Sequence, residues 1–156
     1  MPEVNILSGK DTAHSVYNNL KPRILSLREK GVIPGLCVVL VGDDPASKIY
    51  VRTKTKKLKS LGLISESILL PENVEQEQLI KVIDNLNMDT NYHGILVQLP
   101  LPRNINSQKI ISAISPRKDV DGFHPENVGW LSIGKPRFIP CTPKGIMKLL
   151  DHYDID

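Results

Sequence analysis

The chain has 156 residues, enough for one domain or for one domain and a piece of another. Its 40% hydrophobic and 24% charged residues are ordinary for a globular protein, and a net charge of +3 excludes a polycation. No apolar run reaches the roughly 18 residues of a membrane span, and "MPEVNILSGK" lacks the basic-then-apolar order of a secretion signal, so a cytoplasmic location without membrane contact is expected. Cys37 and Cys141 have no metal-ligand spacing; Cys37 sits in an apolar run and reads as a small core residue, which suits a reducing compartment.

In chain order, Thr12 to Lys30 reads as a helix, with Val16, Leu20, Ile24 and Leu27 at helical spacing and Pro22 expected to kink or break it. "PGLCVVLVG" is a continuous β-branched run, the form of a strand buried on both faces. "DDPAS" is a turn, with Ser47 a candidate helix cap, and a base-rich helix follows over 47–61. "LISESILL" alternates as a second strand, "EQEQLIKVIDNLN" carries Leu79, Val82, Ile83 and Leu86 on one helical side, and "HGILVQLPLP" reads as a third buried strand ending in a proline-rich turn. After Ser115 the chain turns irregular, then resumes as a helix from Pro143 to about His152. This alternation predicts an α/β fold, a three-layer α-β-α arrangement around a mainly parallel sheet, with ligands bound beyond the carboxyl ends of the strands.

The base-rich helix contains one unusual lysine. At about 100° per residue, Lys54 falls between Val51 and Leu61 and close to Leu58, in the apolar stripe, with Tyr50 one turn before it. The other bases, Lys48, Arg52, Lys56, Lys57 and Lys59, fall elsewhere and read as a solvated face. A lysine in such a stripe snorkels, finds a partner, or sheds its proton. The common reading is snorkelling; the sharper one is a catalytic lysine, with Tyr50 beside it to touch the same ligand.

Gln98 stands just beyond the third strand's apolar run and offers both donor and acceptor. Pro100 and Pro102 stiffen the turn after it. In "KDVDGFHP", Asp119 and Asp121 stand two apart. A calcium loop is ruled out, because Gly122 is at the fourth loop position and Trp130 stands where a glutamate ligand is needed. A plain Asp-Gly turn is the simpler reading of Asp121. The scattered histidines show no metal spacing, so no metal is expected. The glycines never form Gly-x-Gly, so no nucleotide-cofactor site is expected in this chain.

Taken in order, "VGDDPASKIYVRTK", "GILVQLPLP", "KDVDGFHPENVG" and "PCTPKGI" resemble the bifunctional methylenetetrahydrofolate dehydrogenase/methenyltetrahydrofolate cyclohydrolase family. The resemblance runs over the whole chain. It implies catalytic roles for Lys54, Tyr50 and Gln98, pterin binding by Asp121, and a folate site that also includes Ser47 and Pro100. It implies NADP-linked oxidation of 5,10-methylenetetrahydrofolate and hydrolysis of the methenyl product to 10-formyltetrahydrofolate, in a homodimer when full length. It further implies a catalytic folate-binding domain over 1–140 and a linker helix over 141–156. In the family a Rossmann domain holding NADP follows, then a pocket-closing loop and a last helix that returns to the first domain. None of these is in the present sequence, so dehydrogenase activity is expected to be absent from this chain alone, cyclohydrolase activity weak or absent, and an apolar patch left uncovered. Two alternatives stand beside this reading: a folate-binding regulatory remnant without catalysis, and a nucleic-acid module using the basic helix. Low total charge and 4% aromatic content count against the second, so no nucleic-acid partner is expected.

Overall fold

A computed structural model describes residues 6–155. Its elements are α1 (Gly9–Glu29), β1 (Gly35–Val41), α2 (Pro45–Ser60), β2 (Ile64–Leu70), α3 (Gln76–Met88), β3 (Gly94–Val97), α4 (Ser107–Ala113), α5 (Pro125–Ser132) and α6 (Cys141–His152). They form two compact units, Ile33–Ile139 and a helical unit made, among the described residues, of 6–32 and 140–155. The units therefore divide the chain elsewhere than at the 1–140 and 141–156 boundary expected from sequence.

The larger unit is the α/β fold that the alternation predicts. Its strands are all parallel, in the order β2-β1-β3. Right-handed crossovers place the two connecting helices on opposite faces, because the chain steps one way from β1 to β2 and back past β1 to β3. On one face Cys37, Val39 and Val41 of β1 and Ile95 and Val97 of β3 pack with Leu79 and Ile83 of α3 and Ile110 of α4. On the other, Val38, Leu40 and Leu96 pack with Val51 of α2. β1 is buried on both sides, which is why its sequence is a continuous apolar run and not an alternating one. Burial of each such aliphatic side chain stabilises the fold by about 1.5–3 kcal/mol.

The segment after α4 is laid along β3. The backbone N–H of Ile95 donates to the carbonyl of Lys118 at 2.8 Å, and Ile95 makes an isolated parallel bridge with Asp119. Lys118 Nζ donates to the carbonyls of Leu86 and Asp89 at 2.9 and 2.7 Å, satisfying acceptors at the end of α3. Gly94 permits the close approach, since a Cβ there would lie 2.5 Å from Val120 Cγ1.

Three local expectations are corrected. Asp44, not Ser47, caps α2: its Oδ2 accepts the Ser47 N–H at 2.7 Å, so Ser47 lies inside the first turn. The third strand is Gly94–Val97, and "QLPLP" leaves the sheet as the proline-rich turn expected. The stretch after Ser115 contains α5, whose buried residue is Asn127; without an apolar stripe it shows no helical period. Pro22 lies inside α1 without interrupting it, at the cost of one missing N–H donor.

In the smaller unit, Ser8 Oγ caps α1 by accepting the Asp11 N–H at 3.2 Å. The Ser8 N–H donates to the Tyr153 hydroxyl at 2.8 Å, tying the start of α1 to the end of α6. Among the described residues, no helix is long and apolar enough to cross a membrane.

Candidate functional site

The site residues lie in the larger unit, at the end of β3 and on the flank of α2. Val51 is buried and Leu58 and Leu61 are half-buried, so the apolar stripe of α2 does face the sheet. Lys54, in that stripe, is half-buried and has found a partner: its Nζ donates to Gln98 Oε1 at 3.1 Å. Gln98 is itself fixed. Its backbone N–H donates to the carbonyl of Val39 at 2.8 Å, and its Nε2 donates to the carbonyl of Leu99 at 2.7 Å. With the amide nitrogen engaged by Leu99, the amide oxygen is left to face the lysine.

Tyr50 is 60% exposed one turn before Lys54, with its ring open to a ligand. Pro100 is exposed, and the Leu99–Pro100 peptide bond is cis. Asp121 is half-buried and borders a small cavity with Leu99, Val97 and Phe123. Ser47 is 3% exposed and is occupied, through its N–H, in the cap of α2. The structure thus joins Lys54 and Gln98 directly, sets Tyr50 on the lysine's helix, and brings Asp121 to the residue after Gln98. The exposed bases Lys48, Arg52 and Lys56 lie on the other flank of α2, over β2.

Two neighbours that support the site's turn escaped the sequence reading. Asp119 is buried, and its Oδ2 accepts the His124 N–H and the Asn127 Nδ2 amide, both at 2.8 Å. Asn127 Nδ2 also donates to the carbonyl of Pro116 at 2.8 Å. These bonds fix the turn that carries Asp121, where Gly122 has a φ of 69°. The Asp-x-Asp spacing was visible, but only the fold separates the buried Asp119 from the half-buried Asp121.

The electrostatics of the surroundings are local. The Ser47 N–H, then the Ser47 hydroxyl and, behind them, the Ala46 N–H hold the Asp44 carboxyl below its ordinary value. Burial, helped by Glu66 and Asp89, pushes the Cys37 thiol up to about 11, which leaves it no role as a nucleophile.

A doubly wound α/β unit with a lysine–glutamine pair at the end of a strand is the arrangement of a catalytic domain that binds ligands beyond its sheet. Residues 7–121 match the tetrahydrofolate dehydrogenase/cyclohydrolase catalytic domain, and the chain belongs to that family. It is 50% identical over 151 residues to the bifunctional protein FolD of Geotalea daltonii, covering 97% of this chain and 54% of that protein. It is 51% identical over 152 residues to FolD of Streptococcus pyogenes, again covering 97% and 54%. The fold matches the FolD methylenetetrahydrofolate dehydrogenase/cyclohydrolase of Campylobacter jejuni with a TM-score of 0.94 at 46% identity, over 97% of this chain and 54% of the other. It matches the Trypanosoma brucei enzyme, solved with NADP cofactor and an inhibitor, with a TM-score of 0.94 at 37% identity, over 99% and 54%. The chain therefore spans about half the length of these relatives.

Proposed function

We propose that this chain supplies the folate site of a bifunctional methylenetetrahydrofolate dehydrogenase/methenyltetrahydrofolate cyclohydrolase. The contact between Lys54 and Gln98 carries the reading. In the hydrolytic step, water adds to the cationic methenyl carbon. The amine of Lys54 accepts a proton from that water and returns it to the ring nitrogen as the carbon–nitrogen bond breaks. The carbinol proton is lost to solvent, leaving the formyl group on the other nitrogen. Gln98 holds Lys54 in line. Tyr50 stacks on the folate ring system, and Asp121 accepts hydrogen bonds from the pterin's amino and ring N–H groups. Ser47 shapes the wall by fixing the start of α2, and Pro100 borders the entrance.

NADP, held by a domain outside this chain, supplies the hydride acceptor for the oxidative step. The full-length protein is a cytoplasmic homodimer that feeds one-carbon units to purine synthesis. By itself, this chain binds folate and turns it over weakly or not at all.

The test follows methenyltetrahydrofolate absorbance above the uncatalysed rate, with this chain alone, with its Lys54→Met variant, and with each after addition of the complementary half of a FolD relative. Lys54→Met is expected to lower turnover by about 10²–10⁴-fold wherever turnover occurs. Equal activity of the two chains in the complemented mixture would refute the role of Lys54.

A further inference from the structure

The turn that carries Asp121 is closed twice by Asp119. The Gly122 N–H donates to the Asp119 carbonyl at 3.2 Å, and the His124 N–H donates to Asp119 Oδ2 at 2.8 Å. Asp121 therefore follows the Asp119 side chain, which is 2% exposed. A carboxylate so deeply buried needs donors and a compensating charge. Among the described residues no ion pair involves Asp119. Its buried neighbour is a neutral amide, Asn127, whose Nδ2 donates to Asp119 Oδ2 and to the Pro116 carbonyl. With both amide N–H groups engaged, the amide oxygen is left to face elsewhere.

It faces a cation. Arg137 Nη1 donates to Asn127 Oδ1 at 3.3 Å and to Glu126 Oε1 at 2.9 Å. The chain brings Arg137 there by reversing at the end of α5. Gly134 has a φ of 74°, and the Gly134 and Lys135 N–H groups donate to the carbonyls of Leu131 and Trp130 at 3.0 and 2.9 Å. The chain then runs back beside α5 and sets the guanidinium against its first turn. A cation at a helix N-terminus opposes the helix dipole, and an exposed ion pair such as that with Glu126 adds little stability. Stability alone does not account for the placement. Arg137 stands instead at the positive end of a relay through Asn127 to Asp119. A guanidinium on the amide oxygen polarises the amide and strengthens its N–H bonds to the carboxylate.

We propose that Arg137 is a positioning residue for folate, acting through Asn127 and Asp119 to set Asp121 for the pterin. The inference rests on the pterin-binding role of Asp121 and adds to it a residue that touches no substrate. The segment that carries Arg137 leaves the larger unit at Ile139. Seating of that segment and binding of folate are thereby linked, and the linkage is reciprocal: each favours the other.

The first arm of the test needs no folate. In this chain, Arg137→Met is expected to shift the Asn127 side-chain amide resonances and the backbone amides of Asp121 and Gly122. Arg137 is exposed, so the variant keeps its fold, which circular dichroism checks. Unmoved resonances would overturn the relay whatever the chain does with folate. The second arm measures methenyltetrahydrofolate hydrolysis by this chain mixed with the complementary half of a FolD relative. Arg137→Met is expected to raise KM by about fivefold to tenfold with kcat within about twofold, the mark of lost binding rather than lost chemistry. Arg137→Lys, which keeps the charge, is expected to recover part of the loss. Glu126→Gln removes the ion pair but leaves the Asn127 contact, and is expected to leave KM within about twofold. In an Asp121→Ala background, Arg137→Met is expected to add less than about twofold, because the two act on one contact. An unchanged KM in Arg137→Met, an equal loss in Glu126→Gln, or a full further loss in the Asp121→Ala background would each overturn the proposal. Shifted resonances with no hydrolysis by the parent mixture would instead refute the folate reading, and the role of Arg137 in folate binding with it.

Discussion

At the residue scale, what distinguishes Lys54 from its basic neighbours is its partner. Five other bases share α2, and each is exposed. Lys54 alone lies in the stripe that faces the sheet, and the cost of half-burying its ammonium is offset by Gln98. Gln98 in turn depends on Leu99, so the pair is pre-organised by the backbone as the chain leaves β3. Gln98→Leu removes the acceptor while keeping the bulk. On the proposed function, in this chain complemented by the other half of a FolD relative, it is expected to lower kcat by up to about 10²-fold through misplacement of the lysine, with a smaller change in KM. Steady-state kinetics of the variant checks this.

At the scale of elements, two junctions position the site. The first is the turn from β1 into α2, where Asp44 receives the Ser47 N–H. Because the folded carboxyl titrates below its ordinary value of 3.8, its contribution is present above that value and is lost as pH falls through the lower folded one. Asp44→Ala is therefore expected to be less stable than the parent near neutral pH. The gap should narrow on acidification from about pH 5 to about pH 2, as urea midpoints across that range would report. The second junction is the crossing of Gly94 and Val120, which sets the Asp119–Asp121 turn against β3. Gly94→Ala pushes a methyl group into the Val120 side chain. It is expected to destabilise the larger unit by about 1–3 kcal/mol and to shift the Asp121 amide resonance. Urea unfolding and a two-dimensional amide spectrum check both effects.

At the scale of the molecule, the two cysteines are built-in reporters of folding. Cys37 is fully buried in the sheet with its thiol pushed up to about 11, whereas Cys141 is exposed. Neither is in a disulfide. A thiol reagent at about pH 8 is expected to modify Cys141 alone in the native protein and both in denaturant, because only the thiolate reacts. Mass spectrometry counts the adducts, and the urea dependence of Cys37 labelling follows the opening of the sheet. A native protein that takes up label at Cys37 would show that the core of the larger unit opens readily.

The sequence by itself determined the elements whose burial is periodic or continuous. β1 could be read because both of its faces are buried, and α3 because Leu79, Ile83 and Leu86 recur on one face. It also singled out Lys54, since an angle around a helix follows from spacing alone. What spacing does not encode, the tertiary structure decided. α5 buries an asparagine against a carboxylate, a contact between side chains eight residues apart that leaves no hydrophobic signal. The choice of Asp44 over Ser47 as cap depends on where the chain leaves β1. The lysine's partner is 44 residues away, and only the parallel sheet, which places β3 beside β1, brings Gln98 within reach. Local periodicity is written in neighbouring residues. Partnership across the sheet depends on strand order, which no single segment carries.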